Sequence, residues 1–339
     1  MKILVIFTGG TIGSTVSNGY ISPDKNKAYR LIEMYRSLHK NDVEFEFAEP
    51  YTLLSENLTG DYLTALGSCL LKYITHGYDG IIVTHGTDTL QYSAAAMSYL
   101  LANAQLPVVF VSSNFVLDNP AANGLDNFAY AVTFIAHRQG KGVFVSYRNS
   151  DNIVYIHRGA RLLPHLPYSD DLFSVAGQYY GLYRENTFVA NPYYHASQGN
   201  HVYTLALPAN RASGILRVFP YPGMEYPVLS TNVRAVLLDT YHSGTICSMT
   251  PNMTAFYNEI NARNIPVFLT GADSGVDYES VKIWKQLQIS TLPQASPIAM
   301  YVKLWMALDS EELLKNISLE ELMFTPIGED INCCVCAIH

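Results

Sequence analysis

The sequence predicts an α/β protein, with a larger N-terminal domain built on a doubly wound, mainly parallel sheet and a smaller C-terminal α/β domain. Three observations carry this expectation. At 339 residues the chain lies near the length at which one hydrophobic core gives way to two. Short β-branched apolar runs closed by Gly, Ser, Thr or Asn alternate with longer amphipathic stretches, the βαβ rhythm of a parallel sheet. The rhythm lapses from Asn191 to Ala212, where Pro192, Gly199, Pro208 and several Asn and Ser leave no period of either kind. The expected division is therefore a domain over 1–190, a linker over 191–212 and a second domain over 213–339.

In order, strands are expected at Lys2–Thr8, Val43–Glu49, Gly80–His85, Pro107–Val111 and Gly142–Tyr147, separated by helices near 26–40, 60–76, 89–103 and 122–137. Ile153–His157 reads as one strand of a hairpin, and the Pro- and Tyr-rich stretch from Pro164 to Tyr183 as an extension lying over the sheet. From Gly214 the alternation resumes, with strands near Leu216–Tyr221, Ala235–Asp239 and Pro266–Thr270 and helices near 251–263, 278–288 and 294–308.

Composition narrows the function classes. Hydrophobic residues make up 49% of the chain and charged ones 15%, which argues for a folded protein. A net charge of −8, without a Lys/Arg run, disfavours nucleic acid as a partner. Lys2–Phe7 is too short for a signal sequence, and no stretch reaches the ~20 apolar residues of a membrane span, so a cytoplasmic protein with no membrane partner is expected. Five cysteines, Cys69, Cys247, Cys333, Cys334 and Cys336, are an odd number and suggest reduced thiols. The terminal three lack a spaced fourth ligand for a tetrahedral metal, so neither metal nor cofactor is expected.

Two Gly/Thr-rich turns follow expected strands. The first is Thr8-Gly9-Gly10-Thr11-Ile12-Gly13-Ser14, after the first strand. Ligands of open α/β sheets bind beyond the carboxyl ends of the strands, and glycines there allow close backbone approach while hydroxyls supply donors or a nucleophile. It lacks both the G-x-G-x-x-G spacing and the G-K-[ST] ending of nucleotide loops. The second is His85-Gly86-Thr87-Asp88-Thr89-Leu90, where Asp88 or Thr89 alone reads as a helix cap. Taken together, the two turns converge on one crevice, where Asp88 can bind an amino group or orient a base. A third turn, Leu54-Ser55-Glu56-Asn57-Leu58-Thr59, adds hydroxyl, carboxyl and amide groups, with Ser55 or Thr59 as the capping alternative.

These turns, in this order and spacing, resemble the signatures of the L-asparaginase/glutaminase family of amidohydrolases, which includes a relative in archaeal tRNA-dependent amidotransferases. Ser112 to Asn127, Tyr241-His242-Ser243-Gly244-Thr245 and Pro293 to Leu308 resemble further parts of that family more loosely. The resemblance implies cofactor-free hydrolysis of a small amino-acid amide, L-asparagine before L-glutamine, by a homodimer or homotetramer. Thr11 would be the nucleophile, Tyr20 would activate it, and Thr87 would assist at the reacting carbon. Asp88 would hold the substrate ammonium and Ser55 its carboxylate, with Glu56, often Gln in the family, and Gly86 completing the substrate side.

The resemblance also implies a lysine paired with the Thr87-Asp88 turn, following an Arg-Gly-x-Arg-x-x stretch. Arg158-Gly159-Ala160-Arg161-Leu162-Leu163 is followed here by Pro164, which has no donor and no charge. Three explanations stand: Arg158, Arg161 or Lys141 replaces the cation, the register slips, or the pocket binds amino acids without hydrolysing them. Of the remaining residues, His85 reads as a structural hydrogen-bonding group. His242-Ser243 reads as no catalytic pair, because neighbours on a strand face opposite ways and no Gly-x-Ser-x-Gly elbow is present. Tyr179, Tyr180, Tyr183, Tyr193, Tyr194, Tyr221 and Tyr226 suit either domain packing or subunit contacts.

Overall fold

The computed structural model describes residues 1–17, 19–23, 25–197, 203–272, 278 and 281–331, without the side chains of 15–17, 21–23, 25–28, 281 and 285. The chain begins with β1 (Lys2–Phe7), a hairpin of β2 (Ser14–Ser17) and β3 (Tyr20–Pro23), α1 (Lys25–Leu38), β4 (Glu44–Ala48) and α2 (Gly60–Tyr73). It continues through β5 (Gly80–Thr84), α3 (Leu90–Leu100), β6 (Pro107–Val111), α4 (Gly124–Ala136), β7 (Gly142–Arg148), β8 (Val154–Arg158), β9 (Gly181–Arg184) and β10 (Thr187–Ala190).

These strands form one sheet in the order β10-β9-β8-β7-β6-β5-β1-β4. The five strands from β4 to β7 in that order run parallel, as in the pairings Val5↔Ile82 and Val83↔Phe110, and β8, β9 and β10 extend the edge antiparallel. Strand periodicity sends alternate residues to opposite faces. Ile3 and Val5 pack with Leu31 and Tyr35 of α1 and Phe128 and Val132 of α4. Leu4 and Ile6 join Leu63 and Leu66 of α2 and Ala94 and Met97 of α3 on the other face. The helices after β1 and β5 thus lie on opposite faces of neighbouring parallel strands, and a crevice opens at the carboxyl ends of that pair.

The later chain contributes β11 (Ile215–Val218), β12 (Ala235–Asp239), α5 (Met253–Ala262), β13 (Val267–Thr270), α6 (Val281–Gln286), β14 (Ser290–Thr291), α7 (Pro297–Leu308), α8 (Glu311–Leu314) and α9 (Leu319–Phe324). The four strands form a second, all-parallel sheet in chain order. Val236 and Leu238 face a core with Phe256, Tyr257 and Trp284. Ala235, Leu237 and Phe268 turn the other way, into the cluster that holds α7 and the large sheet. α7 packs on α3, where the Tyr99 hydroxyl donates to Ala299 O at 3.0 Å.

Two expectations need correcting. The stretch from Pro164 to Tyr183 does not simply lie over the sheet, because its end enters β9 and, with β10, lengthens the sheet edge. The hairpin β2–β3 was not expected at all. Among the described residues no helix is long and apolar enough to cross a membrane. No group of His, Cys, Asp and Glu suited to a metal is present among them, and Cys333, Cys334 and Cys336 lie outside the described residues.

Candidate active site

Three turns meet at the carboxyl ends of β1 and β5, and glycine makes the meeting possible. Gly9 and Gly10 take φ of +100° and +77°, a region that L side chains rarely occupy. A Cβ on Gly10 would stand 2.4 Å from the Gly86 nitrogen, and one on Gly86 would stand 2.4 Å from Ser55 Oγ. Gly10 N–H also donates to Leu53 O at 3.1 Å, and Leu53 N–H to Thr8 O at 3.0 Å, tying the first turn to the third. The turn that carries Thr11 is therefore packed backbone against backbone on both of the others, and the Thr87-Asp88 turn closes on the Ser55 side chain.

Side chains reinforce the junction. Thr8 Oγ1 donates to Thr84 O at 2.6 Å and Ser14 Oγ to Gly10 O at 2.7 Å. Buried Ser55 donates to Asp88 Oδ2 at 3.4 Å, and Thr89 Oγ1 donates to Ser55 O at 2.9 Å. The hydroxyl of Thr89 is thus spent between turns and forms no side-chain cap on α3, nor does Thr59 cap α2. Thr11 lies partly buried in a single 3-10 turn over Thr11–Gly13; Thr87 is partly buried, and Asp88 and Glu56 face solvent. Buried His85 meets its neighbour's carbonyl, Gly86 O, at 2.9 Å, and burial pushes its imidazole down to about 4, so it is neutral and structural.

Tyr20 begins β3, the strand beside the turn that carries Thr11. It is 78% exposed on the β2–β3 hairpin, and no hydrogen bond joins it to Thr11 among the described residues.

The proposed replacement cations lie elsewhere. Arg161 is fully buried and donates to Glu329 O at 2.6 Å and Ser197 Oγ at 3.2 Å. Arg158 sits 4.3 Å from the Phe144 ring centroid and donates to Lys141 O at 2.7 Å, while Lys141 donates to Gln105 at 2.9 Å. Arg158 and Lys141 line a separate cavity at the amino ends of β6 and β7, away from the turns.

The register supplies a different residue. Pro164 is exposed, and the next side chain, His165, lines a cavity of about 300 Å³ together with Thr87, Asp88, Asn114, Tyr147 and Asp170. Its ring packs edge-on to Tyr147, with centroids 5.4 Å apart. The strap that carries it is pinned at several points. Asn149 Oδ1 and Nδ2 bond the backbone of Leu172 at 3.0 and 3.1 Å, Ser150 N–H donates to Asp171 at 2.7 Å, and Asn114 Nδ2 donates to Asp170 at 3.2 Å. Sequence reasoning missed His165 because only these long-range bonds set its direction.

The tyrosine-rich segment is mostly internal packing. Tyr180 lies among Phe144, Phe188 and Tyr194, and Tyr226 stacks on Phe256, whereas Tyr193 and Tyr221 are exposed.

In Methanosarcina acetivorans, a glutamyl-tRNA(Gln) amidotransferase subunit is 32% identical over 164 residues, covering 48% of this chain and 38% of that protein. The protein of the same name from Haloquadratum walsbyi is 33% identical over 179 residues, covering 52% and 40%. The match thus spans about two fifths of the length of these curated relatives. Among solved structures, the thermostable L-asparaginase of Thermococcus kodakarensis superposes with a TM-score of 0.78 at 23% identity, over 98% of this chain and 99% of that one. L-asparaginase I of Vibrio cholerae gives 0.75 at 20% identity over the same shares. These two likenesses establish the fold. The family described as asparaginase, N-terminal, matches residues 2–175, a stretch that holds all three turns and His165, and the chain belongs to the asparaginase family.

Proposed function

We propose that this protein is a cofactor-free amidohydrolase that cleaves the side-chain amide of L-asparagine, with L-glutamine as the second candidate substrate, through Thr11 as nucleophile. The observation that carries this reading is the close approach of the Gly10 and Gly86 backbones and of Gly86 to the Ser55 side chain, which gathers the hydroxyl-bearing turns into one crevice.

Thr11 Oγ adds to the amide carbon as its proton passes to a base, and ammonia leaves once the nitrogen has taken a proton. Water then opens the resulting ester and frees the acid. Asp88 holds the substrate ammonium and Ser55 the carboxylate, the Ser55 hydroxyl turning from Asp88 Oδ2, 3.4 Å away, to donate to the substrate. Exposed Glu56 adds negative charge on the ammonium side. Tyr20 reaches Thr11 in this scheme only when the hairpin folds inward over bound substrate. The enzyme works in the cytoplasm as a homodimer or homotetramer, with no nucleic-acid or membrane partner. A domain over 1–190 bears the three turns, and a linker over 191–212 leads to a second domain over 213–339.

Binding without turnover is the second reading, raised by Pro164; a His165 that lines the same cavity as Thr87 and Asp88 supports the hydrolytic one. The name of the archaeal relatives is the reason to assay glutamine beside asparagine.

The test is ammonia release by purified protein from L-asparagine, L-glutamine and D-asparagine, alongside Thr11→Ala and Thr87→Ala. Release from an L-amide that falls by about a thousandfold or more in each variant, with folding unchanged, is expected. A parent that releases no ammonia, or variants as fast as the parent, would sink the reading.

A further inference from the structure

Outside the three turns, the cavity beside Thr87 contains a group with no assigned task. Among the residues that line it, His165 is the only side chain whose ordinary titration lies near neutrality. Its Nε2 is buried and has no hydrogen-bond partner among the described residues. A buried imidazole nitrogen without a partner, on a residue that lines a polar cavity, is an unmet donor or acceptor, and such groups call for a ligand, a water or a proton. Thr87 lines the same cavity, and a threonine hydroxyl does little chemistry at neutral pH without a base beside it.

We propose that His165 receives and returns the proton that moves through the Thr87 hydroxyl during hydrolysis, in place of an ammonium at this site. The inference rests on the amidohydrolase reading above. Water adds to the carbon of the Thr11 ester, and its proton passes through Thr87 to His165, giving an imidazolium. When the ester C–O bond breaks, the Thr11 oxygen takes that proton back, and the imidazole is neutral again. The liberated acid ionises to solvent. His165 acts through Thr87 and is in this sense a positioning residue for the proton.

The surroundings set the sign of the pH dependence. The backbone of Asp171 and the carboxylates of Asp88, Asp170 and Asp171 favour the imidazolium, the Tyr147 ring of β7 packs against it, and His157 of β8, pushed down to about 3 by burial and then by His165 itself, stays neutral beside it. Burial outweighs the carboxylates and holds the imidazole below its ordinary value of 6.5. The competent neutral form is therefore present at pH 7, and activity falls as the pH drops through the His165 pKa.

The experiment is the pH profile of kcat for ammonia release by the parent, His165→Gln, His165→Asn and His165→Lys, with melting temperatures recorded for each. The parent should lose activity about tenfold per pH unit on an acid limb below pH 6.5. The Gln and Asn variants should be slowed by about a hundredfold and lose that limb, and the Lys variant should carry it at higher pH. A folded Gln or Asn variant with the parent's rate and acid limb overturns the proposal alone, as does a Lys variant whose limb does not move. A parent inactive on every amide overturns the amidohydrolase reading and this proposal with it.

Discussion

Gly10 shows how much of this site depends on a missing side chain. With φ at +77° and a neighbouring backbone nitrogen 2.4 Å from where a Cβ would stand, alanine there must push the first turn off the second. We expect Gly10→Ala to lower stability by upward of about 1 kcal/mol and to depress ammonia release. Gly13→Ala, at a position with open space and no positive φ, should change stability by less than about 0.5 kcal/mol. Denaturant titration of the two variants checks both. The glycines, hydroxyls and Asp88 were legible in the sequence, because a polar turn directly after an apolar run can point only at the crevice. His165 was not legible: it lies in a strap without periodicity, where a slip of one residue exchanges an exposed proline for an imidazole that lines the same cavity as Thr87. The bonds from Asn149, Ser150 and Asn114 that fix the register come from distant segments.

At the scale of elements, the parallel strands of the large sheet were read to within about one residue, since buried strands are continuous apolar runs that end in turn residues, whereas β11 ends three residues short of the expected Tyr221 and the two-residue β14 was missed. Ala235–Asp239 has the same bounds in sequence and structure. The short edge strands β9 and β10 were missed because they pair Tyr-, Arg- and Gly-containing segments that look like loop when taken alone. Late in the chain, α7 is locked to the segment after α9 by Lys303, whose Nζ donates to Asp330 at 2.7 Å and to Thr325 O at 2.6 Å, with both side chains of the ion pair fully buried. Burial lowers the Lys303 pKa and Asp330 opposes the shift, so the pair holds its charge only while complete. We expect Lys303→Met to cost about 3–5 kcal/mol by leaving Asp330 unpaired, and Lys303→Met with Asp330→Leu to recover part of that loss. Equilibrium unfolding of the single and double variants reads both outcomes.

Over the whole molecule, the same cluster of apolar side chains covers one face of the large sheet, α7 and one face of the small sheet. That arrangement leaves the carboxyl ends of β1 and β5 open for chemistry while the helices beneath them stay buried. A large, mainly parallel sheet and a smaller second one follow from a βαβ rhythm that was visible in the sequence; the order of their strands does not. The placement of the basic residues does not: Arg158, Arg161 and Lys141 are each drawn into contacts away from the crevice. Hydrolysis through Thr11 passes through a covalent ester on its oxygen, which acid quenching of protein turning over L-asparagine, followed by peptide mass mapping, would trap. The peptide that contains Thr11 should carry an aspartyl ester, absent from Thr11→Ala. Ammonia release with no ester, or with the ester on another hydroxyl, would contradict it.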